Sequence, residues 1–147
     1  MSGRADVVAQ ARLWLGTPYV HQAATLGSGS DCLGLLRGVW RAVMGPEPED
    51  VPPYTMDWSE AEGREEMLVA ARRWLVEKPQ GVPLMAGDVV VFRMRAGLVA
   101  KHLGIVSVAG PQARFIHAYT GHGVVENALS DPWVRRLAGR FEFPKGA

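Results

Sequence analysis

Cysteine is almost missing from this chain of 147 residues, Cys32 standing alone, so no internal disulfide can staple the fold. A chain of this length hides roughly 70% of the surface its unfolded form exposes, and it needs no staple. Long apolar runs are missing too. The most hydrophobic stretch, Leu84 to Val108, is cut by Asp88, Arg93, Arg95, Lys101 and His102, which excludes a bilayer span of roughly 20 apolar residues. The start, Met1 to Leu15, carries Asp6 and Arg12 and has no continuous hydrophobic segment. That predicts no secretory signal and synthesis in a reducing cytoplasm. Nor does one sign of charge dominate, since 16 Lys and Arg stand against 15 Asp and Glu. The charges are uneven, residues 1–73 holding seven basic and ten acidic groups and residues 74–147 nine and five. A nucleic-acid domain shows a denser basic stripe with interleaved aromatics. The mild polarity fits docking onto a partner or an anionic polymer, and equally a solvated surface.

What is present, 48% hydrophobic and 21% charged residues, is the composition of one globular domain over residues 1–147. Val7, Val8, Ala11, Trp14 and Leu15 recur at helical spacing, predicting a helix from Ala5 to Leu15 that stops at Gly16. A loop rich in glycine and serine follows, through Ser30. From Asp31 the pattern is helical again, with Leu35, Leu36, Val39, Trp40 and Val43 on one face and Gly45-Pro46 as the stop. Ser30 and Asp31 are both good caps for it. The proline-rich residues 46–58 read as an extended connection. Ser59 then opens a third predicted helix, which ends before Pro79. Beyond it the period becomes strand-like at Asp88–Phe92, His102–Val108, Arg114–Tyr119 and Gly123–Glu126, with a last strand at Arg140–Phe143. Three helices followed by an antiparallel sheet is an α+β order.

Chemistry centres on Cys32. It follows the glycine-rich loop and lies in the first turn of the second helix, where unpaired N–H groups and the helix dipole favour a thiolate. The bland alternative is a small buried hydrophobe. A nucleophilic cysteine needs a base, and His102 and His117 lie on adjacent predicted strands joined around Gly110-Pro111. If that hairpin pairs residues whose numbers sum to about 221, the two histidines share a face and lie diagonally, roughly 7 Å apart or less. One is then the base for Cys32, and the second accepts a hydrogen bond from the first ring. An even sum separates their faces and leaves two unrelated polar residues. Zinc finds little support: there is no second cysteine and no pair of histidines one helical turn apart. His21 and His122 read as water-exposed loop residues. Gly27-Ser28-Gly29 has no lysine after it and no strand before it, so it is no phosphate loop.

In this order the blocks resemble the NlpC/P60 family of papain-like cysteine peptidases, and within it the phage-type cell-wall peptidase branch. Gly16-Thr17-Pro18-Tyr19 followed by Asp31-Cys32-Leu33-Gly34-Leu35 looks like the family's nucleophile region. Gly87-Asp88-Val89-Val90-Val91-Phe92 looks like its first core strand, Lys101-His102-Leu103-Gly104-Ile105 its catalytic histidine strand, and Phe115-Ile116-His117-Ala118 its third catalytic position. Tyr19-Val20-His21-Gln22, Phe92-Arg93-Met94-Arg95 and Leu129-Ser130-Asp131-Pro132-Trp133 resemble the phage-type branch.

The resemblance implies a papain-like fold with Cys32 as nucleophile, His102 as base and His117 as the residue orienting it. Tyr19 and Asp31 match positions lining the substrate cleft, and Asp31 is suited to pair with a substrate amine. The implied reaction is cleavage of peptidoglycan stems between D-glutamate and a diamino acid, with no cofactor and no metal. Leu33 replaces a serine that many members carry after the cysteine. The implied partners are the peptide substrate and phage-like tail or hub proteins, with no nucleic acid and no membrane insertion. Incorporation in a virion or phage-like particle reconciles an extracellular substrate with the missing signal. Two other readings use the same residues: a structural tail component with weak or no activity, and a thiol amidase or acyltransferase on another substrate.

Overall fold

The first helix, α1 (Arg4–Leu13), buries Val7 and Ala11, and the Asp6 carboxylate accepts the Gly3 N–H at its start. Its last predicted turn is instead a tight turn over residues 14–16, because Gly16 takes φ +88 and the chain leaves the helix there. In this computed structural model residues 3–49, 51, 54, 58 and 63–144 are described. The glycine-rich loop contains a small antiparallel pair that sequence period does not show, β1 (Ala24–Thr25) and β2 (Gly29–Ser30). Two-residue strands are too short to display an alternation.

Helix α2 (Cys32–Val43) starts one residue after Asp31, whose carboxylate caps it by accepting the Gly34 N–H at 2.8 Å. Leu35, Val39 and Val43 form its buried stripe. Its contact with α1 depends on Gly38, where an added Cβ would lie 1.9 Å from the Trp14 ring. Only a glycine lets the indole lie flat on the helix backbone.

The third helix is shorter than its sequence pattern predicts. Its expected cap, Ser59, and Glu62 lie outside the described residues; α3 runs from Glu66 to Trp74. Gly63 has φ +69, and the Glu65 carboxylate leaves the helix to accept the Ala100 N–H at 2.8 Å and pair with Arg93. Leu75 turns extended at the far end, and the residues expected to finish the helix form β3 (Val76–Glu77).

The remaining elements are β4 (Val89–Arg93), β5 (Ala100–Val108), β6 (Arg114–Tyr119), β7 (Gly123–Ala128), the short α4 (Asp131–Val134) and β8 (Leu137–Glu142). They build one antiparallel sheet of order β3-β8-β4-β5-β6-β7. The last strand begins three residues before the expected Arg140 and pairs with β4 through Phe141, Arg140, Gly139 and Leu137. Alternation divides the sheet. Val89, Val91, Leu103, Ile105 and Ile116 face the helices, packing with Val7, Leu35 and Val39. Val90, Phe92, Val106 and Phe115 face the other way, under Leu129 and Trp133. No helix among the described residues is long and apolar enough to cross a membrane.

Candidate active site

Capping by Asp31 sets Cys32 in the first turn of α2. The other carboxylate oxygen of Asp31 accepts the Gln22 N–H at 2.7 Å and the Tyr54 hydroxyl, and His21 lies 3.7 Å away. Asp31 is 2% exposed. The carboxylate expected to meet a substrate amine is therefore already engaged by backbone, phenol and imidazole. His21, read from sequence as a water-exposed loop residue, is half-buried and bonds the Tyr54 carbonyl at 3.0 Å. His122 is exposed as expected and stacks on Tyr119. Tyr19 is half-buried, joins Ser30 in a parallel bridge, and has its phenol pKa raised by burial, with smaller effects from Cys32 and Asp31.

The histidine strands have the register that joins the two rings. Ile105 pairs with Ile116 and Val106 with Phe115, so the numbers sum to 221 and His102 and His117 share a face. His102 Nε2 lies 2.7 Å from His117 Nδ1, and His117 Nε2 lies 2.7 Å from Asn127 Oδ1. The amide oxygen accepts, so His117 carries its proton on Nε2 and offers a lone pair at Nδ1. His102 must then donate from Nε2, and its neutral ring keeps a lone pair on Nδ1. Phe92, Tyr119 and Trp133 wall this pair, with ring centroids 5.7–6.0 Å from His102.

The helix that carries Cys32 does not pack on the imidazole face: α2 covers the opposite one. His102 pairs with Phe92 and so shares its side of the sheet. The sheet splits beside His102. None of residues 100–104 pairs with β6. Val106 exchanges backbone bonds with the β4 side, so alternation aims the Leu103 N–H toward the missing β6 partner. The sulfur lies at that gap: Cys32 Sγ is 4.0 Å from the Lys101 carbonyl oxygen, and the Leu103 N–H favours charge on it. The groups on either side of His102 thus flank the thiol.

Electrostatics reverses one expectation. Burial, then the Asp31 carboxylate, pushes the Cys32 thiol up to about 12. The N–H groups of Leu103, Leu33 and Cys32 itself pull the other way but only partly offset it. Burial, with His117 beside it, lowers His102 to about 3; His117 falls to about 4, mainly through burial. The resting pair is a neutral thiol and a neutral imidazole, not the favoured thiolate. The dipole argument omitted desolvation, which here is larger. Among the described residues no group of three or more His, Cys, Asp or Glu is placed to hold a metal ion.

Asn127 and Tyr54 escaped the sequence argument. Asn127 had a readable signal: the β6–β7 hairpin pairs His117 with Val125 and Phe115 with Asn127, so extending the expected Gly123–Glu126 strand by one residue places the amide diagonal to His117. Tyr54 had none, since it reaches Asp31 from the proline-rich connection.

The architecture has known counterparts. An NlpC/P60 family protein from Bacillus cereus superposes on 97% of the chain with a TM-score of 0.65 at 18% identity. The NlpC/P60 domain of the peptidoglycan hydrolase SagA is covered in full, with a TM-score of 0.59 at 25% identity. The chain has the NlpC/P60 fold. Within that fold it is also 30% identical over 135 residues to the gamma-DL-glutamyl hydrolase of Bacillus subtilis strain 168. That match takes in 90% of this chain but 28% of the relative, and the chain spans 40% of the B. cereus protein. No family model matches the NlpC/P60-fold chain.

Proposed function

We propose that this chain is a cysteine peptidase that cuts peptide stems of bacterial peptidoglycan between D-glutamate and a diamino acid. The observation that carries the reading is the His102–His117–Asn127 chain of hydrogen bonds, which leaves a lone pair on His102 Nδ1, on the strand whose Lys101 carbonyl oxygen lies 4.0 Å from Cys32 Sγ. The SagA domain supports the polymer, and the glutamyl relative supports a γ-glutamyl bond.

In this mechanism the proton leaves the Cys32 thiol for His102 Nδ1 as the sulfur attacks the scissile carbonyl carbon, so no free thiolate accumulates. The Leu33 and Cys32 N–H groups, which already favour negative charge at the sulfur, stabilise the oxygen that gains charge. The imidazolium passes its proton to the departing amine nitrogen as the C–N bond breaks and a thioester remains. Water, deprotonated by His102, then adds to the thioester and releases the carboxylic acid and the thiol. His117 and Asn127 hold the ring and share its charge. Tyr19 and Asp31 line the cleft, and an amine reaching Asp31 exchanges with the Tyr54 hydroxyl. Delivery by a phage-like tail rests on the Tyr19–Gln22, Phe92–Arg95 and Leu129–Trp133 blocks.

The test is incubation of defined stem peptides with the wild type and Cys32→Ala, followed by product masses. Wild type should release the fragment beginning with the diamino acid, and the variant none. Equal turnover by the variant would remove Cys32 from the mechanism.

A further inference from the structure

A groove of about 480 Å³ opens where β4 ends and α4 leads into β8, and its lining includes Arg93, Arg95, Pro132, Arg135 and Arg136. Arg93 is neutralised by Glu65. Arg95, Arg135 and Arg136 are exposed, and none of the three has a carboxylate partner among the described residues. Most of the other arginines are paired: Arg4, Arg12, Arg37, Arg41, Arg72, Arg73 and Arg114 meet carboxylates, and Arg140 is held by the carbonyls of Pro79, Gln80 and Val82. Three unpaired guanidinium groups lining one concavity repel each other, and Asp131, in the same short helix as Pro132, makes no ion pair with them. A concave wall concentrates their field on whatever anion enters.

The groove lies close to the imidazole pair. Trp133, between Pro132 and Arg136 in its neighbourhood, carries the Arg136 guanidinium 5.7 Å from its ring centre and stands 5.7 Å from the His102 ring. One indole therefore stands between Arg136 and the His102 ring.

We propose that this groove binds a chain of repeated carboxylates, held while one of its γ-glutamyl bonds reaches Cys32 and His102. The inference rests on the peptidase reading above for the bond that is cut, but not for the binding itself. Every γ-linked glutamyl residue leaves its α-carboxylate free, and a guanidinium fork matches a carboxylate in two parallel hydrogen bonds. Because the three groups are solvated, a single small anion gains little from any of them. A polymer gains from all three together, and its binding weakens steeply with salt. The number of free arginines thus selects a repeating ligand.

The experiment uses the full chain carrying Cys32→Ser and measures binding of poly-γ-glutamate at two salt concentrations, beside the same chain with R95Q, R135Q and R136Q. Removing the three charges should weaken binding by at least about tenfold at low salt and flatten the salt dependence. With Cys32 restored, the triple variant should cleave a short stem peptide at the wild-type rate. A control with R72Q and R73Q, on α3, should bind as the parent does. Unchanged affinity in the triple variant, or an equal loss in the control, overturns the groove as the site. Inorganic polyphosphate bound as tightly and with the same arginine dependence overturns the carboxylate assignment. If the polymer binds through the arginines but the wild type cleaves no stem peptide, the groove stands and the peptidase reading falls. If stem peptide is cleaved and the polymer ignores the arginines, the reverse holds.

Discussion

Cys32 is 6% exposed and its thiol is held protonated to about 12, so its reactivity at rest should be that of a shielded thiol. Alkylation by iodoacetamide should be slow at pH 6 to 8 and should climb only in strongly alkaline solution; a fast plateau at pH 6 would mean a stable thiolate. The histidines have the opposite pH signature. Their folded values lie near 3 and 4, below 6.5, so below about pH 6.5 the unfolded chain takes up protons that the folded chain refuses. Stability is fully present above that value and is lost as the pH falls through about 4 and 3, by up to about 1.4 kcal/mol per pH unit for each extra proton. Urea midpoints measured from pH 7 to pH 4 should fall. The fall should be shallower in His117→Asn, which removes one of the two protons.

The helices and strands were legible wherever a period of several residues could repeat. Both helices of the α1–α2 pair and the four strands β4 to β7 lie where apolar spacing places them, to within a turn or two residues. The short pieces β1, β2, β3 and α4 were not legible, because two to four residues carry no period. The overlong third helix has a different cause: acidic residues that look like helix-start signals include Glu65, which is spent on Arg93 and Ala100. Packing between α1 and α2 gives an element-scale prediction. Gly38→Ala drives a methyl into the Trp14 ring and should cost about 1–3 kcal/mol, read as a lower thermal midpoint with the fold retained. A midpoint equal to the wild type would mean that the indole does not lie against Gly38.

Across the whole molecule, the two ends of the chain and the sheet are tied at Asp88. This carboxylate is fully buried. It accepts from Lys78 Nζ at 2.6 Å and from the Met85 N–H at 2.8 Å, and it pairs with Arg4, whose other nitrogen holds Glu142. Asp88→Asn leaves the buried Lys78 ammonium without its counter-charge, and breaking such a pair costs about 3–5 kcal/mol. The denaturant midpoint should drop accordingly with an unchanged slope; a change within error would show that water replaces the carboxylate. In sequence the same aspartate is visible only as the polar residue before a hydrophobic strand, since its partners lie ten and 84 residues away. The site was legible by the same measure. The His102–His117 pairing follows from parity across one hairpin, whereas the arrival of Cys32 through the sheet, and of Tyr54 over Asp31, depends on long-range packing that no local pattern encodes.

The split between β5 and β6 leaves room for the Cys32 side chain beside the β5 backbone. The Leu103 N–H has no β6 carbonyl to meet there and favours charge on the sulfur, so the two usual ways of silencing a cysteine are not equivalent. Alanine removes the one polar side-chain atom set beside that amide, at a cost of about 1–3 kcal/mol. Serine keeps an oxygen on the same carbon. Both variants should be inert, yet the serine protein should melt higher than the alanine one, and equal melting points would show that the amide had found another acceptor. In the proposed mechanism the residue that attacks is thus also a polar neighbour of the strand that carries the base, through the Lys101 carbonyl.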